Sequence, residues 1–428
     1  MLDPGERLKK MSSVREMAKR WLPASVKDIL RQQLFPPPEE DVVLHGYEVV
    51  FEPGKESRLT LVIPTIAAGR AFGGVMTAVD FFLEIGKWTG ADLRIILDNP
   101  EPSKDMSLVE KRALALGLRP KDIEILQRTA QTPVIGVRSS DVFLTFNWWI
   151  TLNLLPVLES QRENFQQPPV PFLYLIQEYE PLFYPFSATH MLARLAFEPS
   201  WPCWGIFNST ELHDYFTSQG HQLDRSFVFE PKLSNALRPF LSGPETPRAK
   251  RILVYGRPGI PRNCFSAIQK GLTLWAKRYT EHRDWEVLSV GLPHRPFPLG
   301  DGREMISAGK LPLEAYAGLL RETAVGLSLM SSPHPSYPPL EMAHFGVLTI
   351  TNRYANKDLS AAHDNITSLG DIRPEAIADA IAAACKKFDT APDAGALGRT
   401  HLKSFLFPGP FDCTEELGQA LFNGPWKR

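Results

Sequence analysis

Short apolar segments alternate with helical patterns in two successive series along this chain of 428 residues. The predicted strands are 58–64, 93–98, 141–147, 172–177 and 205–209, and then 251–256, 285–290, 324–329 and 347–350. Strands that are apolar almost throughout are buried on both faces, and helices between them indicate parallel pairing. The sequence therefore predicts an α/β fold with two doubly wound, Rossmann-like domains that face each other across a cleft.

A polar segment at 241–248 separates the two series. We expect a first domain over 41–240, a second domain over 241–400, and a C-terminal segment, 401–428, that packs back on the first domain. Residues 1–40 form a basic leader with apolar residues at near-helical spacing. We predict an amphipathic helix there, which either rests on an anionic membrane surface or packs on the body or a second subunit.

Composition narrows the class of protein further. The formal net charge is -1, so the bulk charge gives no argument for nucleic-acid binding. The four cysteines are far apart in the sequence and indicate reduced thiols rather than a metal site or a disulfide framework. No apolar run approaches the ~20 residues that span a bilayer, and no secretory signal opens the chain. We expect a cytoplasmic protein, peripheral on the inner face of the membrane if the leader binds lipid.

The first strand of the second series ends in a loop with two arginines, Gly256-Arg257-Pro258-Gly259-Ile260-Pro261-Arg262. Glycine lets the backbone approach a ligand, and guanidinium groups can bind diphosphate oxygens in a bidentate manner. The spacing differs from the G-x-G-x-x-G of nicotinamide-binding proteins, which disfavours a dehydrogenase. Arg257 and Arg262 are candidate diphosphate ligands, and a turn with exposed arginines is the alternative.

A loop rich in proline and serine, 331–341, leads from the strand 324–329 towards a second apolar run. Ligands of open α/β sheets bind outside the carboxyl ends of the strands. Glu341, expected at the start of a helix there, is a candidate acceptor for two ribose hydroxyls, and His334 and Tyr337 lie in the same loop. Lys310 precedes another predicted helix and is a candidate phosphate ligand, unless it is a solvated loop charge.

In the first domain, Gln177, Glu178 and Glu180 follow a predicted strand directly. An amide and two carboxylates beside aromatic residues can hydrogen-bond sugar hydroxyls or supply a base, although an ordinary loop with surface acids has the same composition. Gly73 and Gly74 open the first helix, where free backbone amides attract an anion, and a plain tight turn is the alternative.

Several common enzyme motifs do not occur in the sequence. There is no G-x-S-x-G elbow of a serine hydrolase and no G-x-x-x-x-G-K-[ST] phosphate loop. No grouping of His, Asp or Cys has the spacing of a metal site. We therefore expect neither a metal nor another cofactor.

Taken together, these motifs resemble those of GT-B glycosyltransferases. The second domain is similar to the donor domain of that class in its Gly-Arg loop, its lysine and its loop with a following glutamate. More narrowly, 177–184, Gly73-Gly74 and 332–341 resemble the WsaF family of rhamnosyltransferases, which build rhamnose-containing surface glycans from dTDP-rhamnose. The similarity covers most of 45–400, but residues 334–338 replace the acidic and glycine residues that are usual in this loop.

The resemblance implies a nucleotide-diphosphate sugar as donor and a growing glycan, such as an O-antigen-type polysaccharide, as acceptor. Transfer would retain the anomeric configuration, and cationic side chains and helix termini would neutralise the leaving diphosphate without a metal. The implied roles are as follows: Glu178 and Gln177 lie at the reacting sugars; Arg257, Arg262, Lys310, His334, Tyr337 and Glu341 bind the donor; and Gly73, Gly74 and Glu180 form the acceptor or phosphate side.

Three alternatives remain open at this level. A nucleotide-sugar epimerase or a phosphorylase has a similar two-domain shape. A non-catalytic glycan-binding or assembly subunit could recruit other glycan enzymes through the leader. A homodimer is also compatible with the sequence.

Overall fold

The computed structural model describes residues 43–54, 56–66, 73–98, 105–128, 134–241, 247–409 and 411–422. The predicted leader helix, 1–40, and most of the polar segment between the two series, 242–246, lie outside the described residues. The description below concerns the described residues from 47 onwards, which belong to one compact unit.

The first domain is built on a parallel sheet. The strands in this part of the chain are β1 Glu48–Phe51, β2 Arg58–Ile63, β3 Asp92–Asp98, β4 Ile123–Arg128, β5 Val134–Val137, β6 Asp141–Thr145, β7 Phe172–Ile176, β8 Cys203–Phe207 and β9 Arg225–Val228. The helices are α1 Gly73–Thr89, α2 Ser107–Ala115, α3 Trp148–Phe165, α4 Ala188–Leu195 and α5 Thr210–Ser218. The main sheet has the order β4-β3-β2-β6-β7-β8-β9, and β1 pairs with β5 in a separate parallel ribbon.

The second domain repeats this construction. Its strands are β10 Ala249–Gly256, β11 Glu286–Gly291, β12 Phe297–Pro298, β13 Glu304–Gly309, β14 Thr323–Leu327, β15 Leu348–Asn352 and β16 Ile366–Leu369. Its helices are α6 Phe265–Arg278, α7 Leu313–Arg321, α8 Tyr337–His344 and α9 Pro374–Thr390, and α10 Thr414–Phe422 follows. The sheet order is β12-β13-β11-β10-β14-β15-β16, with only the short β12 antiparallel.

The predicted α/β class with two Rossmann-like sheets is confirmed. The central strands β2, β6, β7, β8 and β14 are buried along their whole length, as their apolar sequences require. Phe265, Ile268, Leu272 and Trp275 form the buried face of α6. Ser209 caps α5, its hydroxyl accepting a hydrogen bond from the Leu212 amide.

Each sheet contains one point at which the chain reverses its direction of winding. In the second domain, β10 has β11 on one side and β14 on the other, and β2 lies likewise between β3 and β6 in the first domain. At this point the crossover connections of the two neighbouring strands run in opposite directions along the sheet. The loops that leave these strands therefore diverge and open a crevice at the carboxyl ends of the strands. The loops after β10 and β14 are therefore placed to bind a ligand.

The C-terminal helix belongs to the first domain's core. Leu417 and Leu421 of α10 are fully buried in the cluster that contains Phe81 and Phe82 of α1. Before this helix, the Leu233 amide donates to the Phe405 carbonyl at 2.8 Å. The chain thus returns from the second domain to the first. Among the described residues, no helix combines the length and the apolar character that a bilayer crossing requires.

Candidate active site between the two sheets

The carboxyl edges of the two sheets face each other, and side chains connect them. The Ser332 hydroxyl, after β14, donates a hydrogen bond of 2.5 Å to Oε2 of Glu178, after β7. The Arg262 guanidinium lies over the Phe183 ring, 4.2 Å from its centroid. Both contacts join residues that the sequence placed after strands of different domains. They define the floor of a site between the sheets.

A second set of contacts joins α5 and the end of β8 to the second domain. The Asn356 side-chain amide donates to the Glu211 carbonyl at 2.8 Å. The Tyr337 hydroxyl is 3.4 Å from Oδ1 of Asn208, at the outer limit of a hydrogen bond. These contacts flank the floor on the side of β15.

Arg257 and Glu341 lie around one tyrosine at the carboxyl end of β10. Arg257 hydrogen-bonds the Tyr255 hydroxyl, and both Glu341 and Arg262 are close enough to influence the pKa of that hydroxyl. Gly256 has to be glycine here, because a Cβ would lie 2.2 Å from Oγ of Ser289. The structure therefore brings three predicted donor ligands together: Arg257, Arg262 and Glu341.

Glu341 is a buried acid with one fixed partner. It lies within α8, four residues after the first residue of the helix rather than at its start, because Pro338 and Pro339 are accommodated in the first turn. The Tyr316 hydroxyl donates to Oε2 of Glu341 at 3.1 Å. Burial raises the pKa of the carboxyl to about 7, with the hydrogen bond acting in the opposite direction.

Glu178 is the carboxylate at the centre of the site. Burial raises the pKa of Glu178, while Arg262, the Ser332 hydrogen bond and Lys357 lower it. Arg262 experiences the reverse: burial lowers the pKa of its guanidinium, and Glu178 raises it. The two charges compensate each other in a region from which water is largely excluded.

The loop after β14 is a compact chain of hydrogen bonds. The His334 amide donates to Oγ of Ser332 at 3.0 Å, and the Ser336 amide donates to Nδ1 of His334 at 3.0 Å. The second bond requires the neutral imidazole, and burial, Lys357 and Arg262 lower the pKa of His334 to about 3. Ser336 has φ 71°, a conformation that favours glycine and that the surrounding bonds hold in place.

Lys357 lies beneath this loop and was not selected by the sequence analysis. Its side chain is 1% exposed, and Nζ donates to the Met330 carbonyl at 2.8 Å. The Asn352 side chain at the end of β15 also binds the Met330 backbone. Its Oδ1 accepts a hydrogen bond from the Met330 amide, and its amide group donates to the Met330 carbonyl. In a sequence, a single lysine after an apolar strand is typical of a solvated loop charge. The burial of Lys357 is therefore evident only from the tertiary structure.

Gln177 fixes the start of α1. Its side-chain amide donates to the Gly74 carbonyl at 2.9 Å, and a Cβ on Gly74 would lie 3.4 Å from Oε1 of Gln177. Gly73 is exposed beside it. The structure thus brings Gln177, Gly73 and Gly74 together on the first domain's side of the site.

Glu180 lies inside the first domain. Its Oε2 accepts a hydrogen bond of 2.6 Å from the Trp148 amide at the N-terminus of α3 and lies 3.4 Å from the Tyr174 hydroxyl. Burial raises the pKa of Glu180 to about 8 despite both donors. These contacts are those of a buried anchor for α3 more than those of a sugar ligand.

Lys310 follows β13, which is two strands from β10 in the sheet, whereas Arg257 follows β10 itself. Lys310 is exposed, and β11 separates its strand from β10.

Within the described parts of the chain, no group of three or more His, Cys, Asp or Glu residues is arranged to hold a metal ion.

Comparison with known proteins assigns the chain to a family. The model of the WsaF N-terminal domain matches residues 58–210, and the model of the WsaF C-terminal domain matches residues 250–382. The chain belongs to the WsaF family. The two matched regions of this WsaF-family protein contain the strands that carry Glu178 and Arg257, respectively.

A curated relative of this WsaF-family chain is the O-antigen biosynthesis protein RfbC of Myxococcus xanthus. The two are 35% identical over 184 residues, which is 42% of this chain and 14% of RfbC. The matched segment therefore corresponds to about a seventh of the length of that relative.

Solved structures establish the fold. WaaG, a glycosyltransferase involved in lipopolysaccharide biosynthesis, superimposes with a TM-score of 0.55 at 11% identity, covering 86% of this chain and 100% of WaaG. HepE of Anabaena, solved in complex with UDP, gives a TM-score of 0.53 at 11% identity, covering 86% and 95%. TarM gives 0.55 at 8% identity, covering 86% and 99%. The WsaF-family chain has the GT-B fold.

Proposed function

We propose that this protein is a glycosyltransferase of polysaccharide or O-antigen biosynthesis that uses a nucleotide-diphosphate sugar, and that the donor is dTDP-rhamnose. The observation that carries the proposal is the convergence of Arg257, Arg262 and Glu341 at the switch point of the second sheet, opposite Glu178 of the first. Family membership and the RfbC relative support the polysaccharide pathway, and the UDP bound to HepE supports a nucleotide donor.

In this proposal, the two guanidiniums bind the diphosphate, and Glu341 accepts a hydrogen bond from a hydroxyl of the pentose of the nucleotide. Arg257 and Arg262 then stabilise the negative charge that develops as the bond between the anomeric carbon and the phosphate oxygen breaks. The oxygen of an acceptor hydroxyl forms the new glycosidic bond on the same face, and its proton passes to the departing phosphate. Glu178 faces the reacting sugar and stabilises its positive charge.

A thermal-shift screen with dTDP, UDP, GDP and ADP tests the donor assignment. A ligand at 100 times its dissociation constant stabilises the folded state by about 2.7 kcal/mol, so a bound nucleotide gives a measurable shift. We expect the largest shift with dTDP. A larger shift with another nucleotide contradicts the dTDP assignment, and no shift with any of them contradicts a nucleotide-dependent transferase.

Product analysis with labelled dTDP-rhamnose and a rhamnose-containing oligosaccharide tests the reaction. We expect the oligosaccharide to gain one labelled sugar with release of dTDP. Nucleotide binding without turnover of any donor would instead support the non-catalytic glycan-binding subunit.

A further inference from the structure

Lys357 is the one ammonium that the described structure buries under the loop of the candidate site. It is 1% exposed, and its hydrogen bond to the Met330 carbonyl fixes the position from which residues 331–336 leave the sheet. A lysine is rarely buried to this degree unless other charges compensate it. The residues around it therefore indicate what its charge does.

The titratable groups that face Lys357 come from both domains. The charged groups are Glu178 after β7 and Glu211 in the first turn of α5, and the neutral Cys264 before α6 and His334 in the loop above complete the titratable groups that face it. Both carboxylates belong to the first domain, whereas Lys357 belongs to the second. Its ammonium attracts Glu178 towards the loop that donates the Ser332 hydrogen bond.

The segment that carries Lys357 is itself held against the first domain. Tyr354 and Lys357 exchange two backbone hydrogen bonds, of 3.1 and 2.8 Å, and close a tight turn. At the tip of this turn, Asn356 donates to the Glu211 carbonyl. The turn thus fixes the ammonium between the two sheets.

We propose that Lys357 is a positioning residue for sugar transfer, holding the Met330–Ser336 loop through the Met330 carbonyl and so keeping the Ser332 hydroxyl against Glu178 beside the reacting sugar. The inference rests on the proposed function. Arg257 and Arg262 serve the diphosphate, and Lys357 serves the carboxylate. Of the two cations that compensate Glu178, Lys357 and Arg262, only Arg262 should remain when the charge of Lys357 is removed. Arg262 also has to bind the diphosphate of the donor, so it should compensate Glu178 less well.

The wild-type protein should lose activity as the pH rises, because burial lowers the pKa of Lys357 to about 8 while Glu178, Cys264 and Glu211 raise it. The group is protonated below that value and neutral above it. Initial rates of dTDP release from dTDP-rhamnose, with the oligosaccharide acceptor, are measured from pH 6 to 10. We expect an alkaline decline centred near pH 8.

Lys357→Gln keeps a hydrogen-bond donor towards Met330 but carries no charge. We expect its kcat to fall by about tenfold or more, its KM for the donor to change by less than about threefold, and the alkaline decline to disappear. Lys357→Arg stays protonated over this range, so it should retain more activity than the glutamine variant and also lack the decline. Lys387→Gln on the exposed face of α9 is the control and should keep the wild-type profile.

The outcomes separate the two proposals. If the wild-type protein releases no dTDP, the proposed function is wrong. If it does and Lys357→Gln retains both the rate and the alkaline decline, only this inference is overturned. A purely structural role predicts a lowered thermal midpoint with the decline retained, which also contradicts it. If Lys357→Arg does not fold, the wild-type and glutamine profiles decide by themselves.

Discussion

The Ser332 hydroxyl donates a hydrogen bond of 2.5 Å to Oε2 of Glu178, and the two residues are 154 positions apart in the chain. Ser332 is 1% exposed and also accepts from the His334 amide, so its hydroxyl has a fixed direction. The bond therefore links the orientation of the central carboxylate to the loop of the opposite domain.

Ser332→Ala should lower kcat by about tenfold, because it removes the hydrogen bond that orients Glu178 and leaves the His334 amide without this acceptor. Dissociation of dTDP should change little, since the substitution leaves the proposed diphosphate ligands Arg257 and Arg262 in place. Rates of dTDP release and calorimetric titration with dTDP measure the two effects. The exposed Ser360→Ala is the matched control, and equal rates for Ser332→Ala and wild type would contradict the expectation.

Arg262→Ala should weaken dTDP binding by about tenfold or more, and Arg257→Ala should do the same, because each removes a charge-assisted contact to the diphosphate. Arg262→Ala should additionally lower the thermal midpoint, since its guanidinium packs on Phe183 across the domains. Calorimetry with dTDP and thermal unfolding test both statements. Arg373→Ala, which changes an exposed side chain, should bind dTDP like the wild type; undiminished binding by both site variants would refute the diphosphate assignment.

Nucleotide binding should depend on the ionisation of Glu341. Burial raises its pKa to about 7, so the free protein holds a neutral carboxyl below that value and a carboxylate above it. A hydroxyl of the nucleotide sugar donates to the carboxylate more strongly, and dTDP affinity should rise as the pH increases from 6 to 8. In Glu341→Gln this increment should vanish, leaving only the titration of the nucleotide itself. Parallel affinity curves for the two proteins would exclude the proposed contact.

Glu180 should affect stability rather than binding. Its pKa is about 8 in the folded protein against a usual 4.5, so between these values the folded state binds more protons than the unfolded state. The free energy of unfolding should therefore fall as the pH rises from 5 to 8. The neutral Glu180→Gln should lack this dependence, so its free energy of unfolding relative to wild type should rise by about 3–4 kcal/mol over the same range. Urea unfolding at pH 5, 7 and 9 measures the difference, and a constant difference would argue against a buried acid here.

Transfer should not depend on a divalent cation. The resemblance to GT-B glycosyltransferases implies that guanidiniums and helix termini neutralise the leaving diphosphate. The rate of dTDP release should therefore stay within about twofold of its value when EDTA is added. A loss that Mg²⁺ or Mn²⁺ restores would contradict this expectation.

The sequence by itself determined the class of fold and much of the donor side. Apolar strands such as β7 and β14 have to be buried on both faces, and they are separated by helices, so their parallel order follows from local pattern. The loops after β10 and β14 meet at one sheet edge. The family resemblance grouped Arg257, Arg262 and Glu341 as donor ligands together with Lys310, His334 and Tyr337. The short edge strands were missed because their partly exposed sequences lack this pattern; β13, for example, has only one fully buried residue.

The tertiary structure decided which of these side chains share one environment. Only the packing of one domain against the other joins Ser332 to Glu178 and places Lys357 out of water. Packing within the first domain buries Glu180 at the N-terminus of α3. Each of these results depends on contacts between residues far apart in the chain, where desolvation and opposing charges act together. A local sequence pattern contains no information on desolvation or on opposing charges from distant residues. It can therefore identify a carboxylate after a strand, but not the ionisation state or the partner of that carboxylate in the folded protein.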